Sequence, residues 1–304
     1  MKQTNQTALI GAVVKKADLS AQELELVEAA WDASTRGWDH FPVGSAIWAV
    51  NAQDEAKLFR GCNVANDAFS VIVCGEQNAI TTAVQEGYRS ITHAAVICPD
   101  SPGGFPCGIC RQALCQYADT DAVFLSILDK DCNVRRVKVW SLLPTPSKRT
   151  KRQYDNLSSE EQTLVDEVIG MLADAYVPYS RRRRAAIAFG ARDKGELEKF
   201  PGVQLDNASY PSSISAECCA IAAAVSAGYN RIDTVIVAAA SADKLELQDA
   251  VIDGSSLQFL REFGGKGAQV LLVGVGRTVT TATLDELLPG SFGPDSLGSP
   301  RPLD

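Results

Sequence analysis

The chain repeats itself. Asn66, Glu76 and the pair Gly87-Tyr88 recur as Asn207, Glu217 and Gly228-Tyr229 at a constant offset of 141 residues. The segment between these anchors repeats as well, with Ile80, Ala83 and Val84 matching Ile221, Ala224 and Val225 at helical spacing. Further on the offset grows by a few residues. Gln112 then pairs with Gln258, and Leu142-Leu143-Pro144 with Leu287-Leu288-Pro289, as an insertion before that point requires. Two copies in 304 residues predict two domains, residues 1–147 and 148–304, each able to bury its own core. Both copies read as α/β in one order: a helix, a strand pair, a helix starting near the Glu, a β-branched strand at residues 93–98 or 234–238, a short helix and a last strand. Residues 145–156, with Pro146, Lys148, Arg149, Lys151 and Arg152, read as a solvated connector, and residues 298–304 as a frayed end.

The balance of residues narrows the class of function. A hydrophobic fraction of 46% and a charged fraction of 22% are those of an ordinary soluble globular protein. The net charge of −8 argues against a nucleic-acid partner, because phosphate backbones are held by clustered Lys and Arg. The apolar run at residues 8–14 is too short to span a bilayer, and Lys15 and Lys16 follow where a secretory signal would place small residues. The expectation is therefore a cytoplasmic protein with no membrane partner. There thiols stay reduced, so the nine cysteines are expected as buried residues or metal ligands rather than disulfides.

Chemistry concentrates in the first copy. Cys74-Gly75-Glu76 is followed 33 residues on by Pro106-Cys107-Gly108-Ile109-Cys110-Arg111-Gln112. A Cys-x-x-Cys where a loop enters a helix can aim two thiolates at one metal ion, and a third from another helix start leaves the fourth tetrahedral position open. Three thiolates make zinc electron-rich. Helix N-termini facing the sulfurs, together with Arg111, would offset part of that charge. Glu76, two residues after Cys74, is close enough to handle protons without being a ligand.

A metal ligand, any residue, Glu, and later Pro-Cys-x-x-Cys is the signature of zinc nucleobase deaminases. On these motifs the sequence resembles the cytidine deaminase family over nearly its whole length, in the three-cysteine form. The resemblance extends to Phe41-Pro42-Val43-Gly44-Ser45-Ala46, similar to the family's substrate-site strand, and to Asn63-Val64-Ala65-Asn66, similar to its ribose-binding segment. In the second copy it includes Val177-Pro178-Tyr179-Ser180, Asp206-Asn207-Ala208-Ser209-Tyr210 and the run from Leu287 to Pro294. It implies two tandem three-layer α/β/α sandwiches, each around a mixed sheet of about five strands. It also implies one zinc per chain on Cys74, Cys107 and Cys110, with Glu76 as general base and acid. Phe41, Asn63, Gly75 and Phe292 would contact a cytosine nucleoside, Phe292 through the family's habit of reaching a neighbouring active site. Tandem members pair into homodimers, which is the expectation here.

Two residues depart from the family pattern. Ala65 stands where a carboxylate usually binds a sugar hydroxyl, and Gln77 where many three-cysteine members carry an Arg. In the second copy Ser215, Asp253 and Ser256 replace the three cysteines, so no metal is expected there. Glu217 then reads as a helix-start residue. The adjacent Cys218 and Cys219 point about 100° apart on a helix and make a poor ligand pair. The run Arg181 to Arg184 reads either as a salt-bridged surface or as an anion site. The leading function is hydrolytic deamination of cytidine or deoxycytidine in pyrimidine salvage. The alternatives are deamination of a modified cytosine nucleoside such as blasticidin S, which Ala65 motivates, and a non-catalytic deaminase-like binding protein.

Overall fold

The computed structural model describes residues 11–37, 41–67, 69–144, 151–192, 195–242 and 245–297. The chain divides into two compact units, one of Met1–Pro144 with Pro289–Ser299, the other of Thr145–Leu288 with Pro300–Asp304. The residues expected to fray, 298–304, lie outside the described ones.

The first unit contains β1 (Ala12–Val14), α1 (Ala21–Ser34), β2 (Gly44–Val50), β3 (Ala56–Cys62), α2 (Gly75–Gln85), β4 (Ser90–Ile97), α3 (Gly108–Tyr117), β5 (Ala118–Ile127) and β6 (Val134–Lys138). Its sheet runs β1-β6-β5-β4-β2-β3, with β4 and β5 parallel and the other pairs antiparallel. Alternation along the strands divides the core between the two faces. Ile47, Ala49, Ala94 and Phe124 pack with Ala79, Ile80 and Leu114 of α2 and α3. Ala46, Ala95 and Leu125 pack on Leu26, Val27 and Ala30 of α1. Burying each large side chain among these, such as Leu26 or Ile47, contributes about 2 kcal/mol. α1 starts at a capping box: the Glu23 amide donates to Ser20 Oγ at 3.2 Å and the Ser20 amide to the Glu23 carboxylate at 2.9 Å. Arg136 on β6 ties the same carboxylate to the sheet at 2.7 Å.

The second unit contains α4 (Ser159–Gly170), β7 (Arg182–Ala191), β8 (Glu198–Val203), α5 (Ala216–Ser226), β9 (Arg231–Ser241), β10 (Leu247–Gln248), α6 (Gly254–Phe263), β11 (Gln269–Val273), β12 (Val279–Thr283) and α7 (Leu284–Leu287). Its order is β12-β11-β9-β7-β8, with β10 paired to β9 and with β9 and β11 parallel. Among the described residues each sheet thus has six strands, in line with the expected sheet of about five, the additions being two short strands, β1 at an edge and β10 beside β9. The second half of the connector is mostly exposed, as expected, and is tied to the second unit. Arg152 and Val279 exchange backbone hydrogen bonds at 2.9 Å, Lys151 meets Asp249 at 2.6 Å, and residues 154–156 form a 3-10 turn. Residues 145–150 lie outside the described ones.

One close approach is repeated in both units. A Cβ on Gly61 would lie 2.2 Å from the Gly75 carbonyl oxygen and 2.4 Å from the Ala79 nitrogen; one on Gly202 would lie 2.4 Å from the Ala216 oxygen and 2.3 Å from the Ala220 nitrogen. Only glycine lets α2 settle directly on β3, and α5 on β8. The same repeat places Phe59 against Tyr88 at 5.1 Å and Phe200 against Tyr229 at 4.9 Å, which fixes the far end of each helix.

Strand direction then decides where a site can form. β3 and β4 are both antiparallel to β2, and β5 is parallel to β4, so the helices following β3 and β4 start at the same sheet edge. That edge, beyond the carboxyl ends of like-directed strands, is where open α/β sheets bind ligands. β8, β9 and β11 repeat the arrangement for α5 and α6.

Candidate active site

Cys74 is the N-cap of α2 and Cys107 the N-cap of α3, with Cys110 in the first turn of α3. Their sulfurs gather at one point. Cys107 Sγ lies 3.9 Å from Cys74 Sγ and 3.4 Å from Cys110 Sγ, and all three are within 4.8 Å of one another. Tetrahedral zinc with Zn–S bonds of about 2.3 Å requires sulfurs roughly 3.8 Å apart, so the donor set and its spacing fit that ion. Hydrogen bonds from Cys110 and Cys74, and from the amides of Cys110 and Ile109, bring the Cys107 thiol down to about 3. Their hydrogen bonds with Cys107, and then burial, hold the Cys74 and Cys110 thiols above the ordinary range. Metal binding favours the deprotonated form of every ligand.

Glu76, in the first turn of α2, is 4% exposed. Burial, and then the charge at Cys107, push its carboxyl up to about 7, against the opposing pull of its own amide, Cys110 and Arg111. A carboxyl that changes protonation near neutrality, beside a three-thiol cluster, can take up and return protons. Gln77 caps α2 instead of bringing a cation, its Oε1 lying 3.4 Å from the Cys74 amide.

Arg111 is completely buried and gathers backbone carbonyls. Its guanidinium donates to Pro106 at 2.7 Å, Leu142 at 2.8 Å, Pro289 at 2.7 Å and Gly290 at 3.2 Å. Its positive charge acts on Glu76, lowering that carboxyl, and its hydrogen bonds anchor Pro289 and Gly290 within the first unit. That segment brings Phe292 to Phe41, with ring centroids 6.1 Å apart, inside a single chain. Asn63 is buried and holds the strand entry: its Oδ1 accepts from the Val43 amide at 2.9 Å and its Nδ2 donates to the Phe41 carbonyl at 3.0 Å. Gly75 is the buried first residue of α2, and Ala65 is half-buried on the loop after Asn63. Trp31 and Trp48 pack on the core beside α1; Trp38 and His40 lie outside the described residues. Among the remaining cysteines of this unit, Cys115 and Cys132 are buried and Cys62 and Cys98 half-buried.

The matching place in the second unit is built differently. Ser215 caps α5 and Asp253 caps α6, and Ser256 Oγ lies 2.8 Å from Ser215 Oγ and 3.0 Å from Asp253 Oδ2. Glu217 is completely buried and pairs with Arg184, whose guanidinium also reaches the Val251 carbonyl and stands 3.8 Å from Asp253. Arg184 turns inward, so the basic run is only partly a solvated face. Arg183, on the opposite face of β7, donates to the carbonyls of Leu172, Ala173 and Ala175. The partnership of Arg184 with Glu217 was not read from the sequence. The available signal was that the repeat offset sets Arg184 opposite Val43 of the first copy.

Three thiols at two converging helix starts, with a buried carboxyl between them, define an α/β zinc-deaminase type of site. Residues 20–126 match the family described as the cytidine and deoxycytidylate deaminase zinc-binding region. Over 108 residues the chain is 33% identical to a protein named cytidine deaminase from Sporosarcina psychrophila, covering 35% of this chain and 75% of that one. Over 111 residues it is 32% identical to a probable cytidine deaminase of Dictyostelium discoideum, covering 34% and 72%. Solved cytidine deaminases are also similar. The one from Burkholderia pseudomallei is 28% identical with a TM-score of 0.36, covering 41% of this chain and 98% of that structure. The chain belongs to the cytidine deaminase family. Among the described residues no helix is long and apolar enough to cross a membrane.

Proposed function

We propose that the protein hydrolyses cytidine and deoxycytidine to uridine and deoxyuridine with release of ammonia, at the first unit's site alone. The carrying observation is the buried Glu76 beside the Cys74, Cys107 and Cys110 sulfurs. Those cysteines would hold one zinc ion per chain. When bound, zinc supplies Lewis acidity that lowers the pKa of water to about 7. Glu76 removes the proton from the attacking water as its oxygen bonds to C4, and passes that proton to ring N3. It then carries a second proton to the exocyclic nitrogen, the C4–N bond breaks, and ammonia leaves. Phe41 and Phe292 flank the ring, backbone groups at Gly75 meet the base edge, and Asn63 keeps the Phe41 segment in place for that contact. Arg111 balances the charge of the thiolates.

The second unit is read as non-catalytic, which the loss of all three cysteines supports. A homodimer is read from the tandem layout, and strongly exposed apolar side chains such as Phe69 (84%) and Tyr210 (72%) support a covered surface. A cytoplasmic location fits reduced thiols. The test is the loss of cytidine absorbance in the ultraviolet, run beside deoxycytidine, cytosine, cytidine monophosphate and blasticidin S. Turnover of cytidine or deoxycytidine above the others supports the reading. Preference for blasticidin S would transfer it to a modified nucleoside, the outcome that Ala65 favours. Zinc without turnover on any of them would overturn it.

A further inference from the structure

The second unit keeps a cavity where the first has its site. It has a volume of about 310 Å³ and is bordered by Ser180, Arg182, Arg184, Ser213, Ser255 and Asp253 among others. Cavities of roughly 300–1,000 Å³ are the usual size of small-molecule pockets.

The wall is rich in unused donors. Ser180 Oγ accepts from the Arg182 amide at 3.3 Å and Ser213 Oγ from the Asn207 amide at 3.0 Å, so each hydroxyl still has its own proton to donate. Among the described residues, the Ser255 hydroxyl and the Arg182 guanidinium make no hydrogen bond or ion pair. The one carboxylate on the wall is already engaged. Asp253 Oδ1 accepts from the Ser256 amide at 2.9 Å, Oδ2 lies 3.0 Å from Ser256 Oγ, and Arg184 stands 3.8 Å away. Arg184 is itself held by the buried Glu217. Arg182 is left as the uncompensated charge, on the same face of β7 as Arg184. The first turns of α5 and α6 both open onto the cavity through Ser215 and Ser255, adding the positive ends of two helix dipoles.

We propose that this cavity binds a small phosphate monoester, its phosphate held by the Arg182 guanidinium and the hydroxyls of Ser180, Ser213 and Ser255. A phosphate offers several acceptor oxygens and no obligatory donor, which matches a cationic wall of unused O–H and N–H groups. The volume leaves room for an organic group beyond the phosphate. The lining residues all belong to the second unit, and the proposal does not depend on the first unit's activity.

Titration calorimetry and thermal unfolding of the zinc-loaded full chain test this, with inorganic phosphate, ribose 5-phosphate and uncharged ribose as probes. Ribose 5-phosphate is expected to bind saturably and raise the melting temperature, inorganic phosphate to bind more weakly, and ribose to do neither. Arg182→Gln should weaken ribose 5-phosphate roughly tenfold or more, through loss of a charge-assisted contact, while cytidine turnover stays unchanged. Arg182 is exposed, so this variant should fold. Ser255→Asp, which sets a second carboxylate on the wall, provides an independent check and should abolish binding. No saturable binding at millimolar concentrations would overturn the proposal. So would equal binding of ribose, or an affinity that neither variant changes.

Discussion

The two units share one backbone plan but balance charge at the same place by different means. In the first, two helix starts present three sulfurs 3.4 and 3.9 Å apart, a set that wants a metal cation, and Glu76 stands beside them. In the second, hydroxyls and a carboxylate replace the sulfurs, and the cation is a side chain, Arg184, clamped on Glu217. The same glutamate therefore has two different tasks. Beside a metal site it can move protons; against a guanidinium it is a fixed half of an ion pair. Where the three cysteines are replaced, an internal ion pair occupies the matching place.

Exchanging either carboxylate for its amide should separate those tasks. Glu76→Gln is expected to keep zinc and lose about 10²- to 10⁴-fold in turnover, whereas Glu217→Gln keeps turnover. A Glu76→Gln enzyme within about tenfold of the parent in the cytidine absorbance assay would break the comparison at its root. Metal content sharpens it next. Elemental analysis should find one zinc per chain, and two would refute the contrast. Introducing cysteines at Ser215, Asp253 and Ser256 should not add a second zinc while Arg184 remains. Adding Arg184→Val, the residue at the matching place of the first copy, should allow it.

Stability provides the converse measurement. Glu217→Gln leaves the Arg184 guanidinium without its buried partner and should cost about 3 kcal/mol in urea unfolding. Glu76→Gln should leave stability unchanged or raise it, since it removes a carboxyl that burial already disfavours as the charged form. The smallest effect concerns two of the capping boxes, Ser20 with Glu23 and Ser158 with Glu161. Burial acts to raise Glu23, but the Ser20 amide and hydroxyl and then Arg136 outweigh it and hold the carboxyl below its usual range. The Ser158 amide and, against some burial, Arg152 do the same for Glu161. Both groups therefore stabilise the fold above the unfolded value of about 4.3, and that contribution is lost as pH falls through the lowered folded value. Glu23→Gln should cost about 1 kcal/mol at pH 7, more than the more exposed Glu161→Gln, and both differences should vanish in acid. Urea melts across pH would show it.

Much of this was legible before any coordinates. The repeat gave the order of helices and strands in each half, because periodicity and Gly-Tyr helix ends are local signals, but not the return of Pro289 and the residues after it to the first unit. The three cysteines and Glu76 were legible because helix starts fix where short side chains point. What stayed hidden depends on contacts between distant segments. Arg182 and Arg184 share a face by simple alternation, yet that one faces Glu217 and the other an open cavity follows from where α5 and α6 begin. Gly61 and Gly202 obey the repeat offset, but only the helix backbone, which would lie 2.2–2.4 Å from an added Cβ, reveals why glycine is required. Arg111 was expected to offset thiolate charge; its hold on the Pro289 and Gly290 carbonyls joins positions too far apart in sequence for any motif to show.

That hold has a consequence for synthesis. Chains fold broadly from the N-terminus as they emerge from the ribosome. Here the first unit acquires the carbonyl partners of Arg111, and the ring that faces Phe41, only once residues 289–292 have been translated. The unit with the three-cysteine cluster is thus completed only after α7 of the second unit has been made.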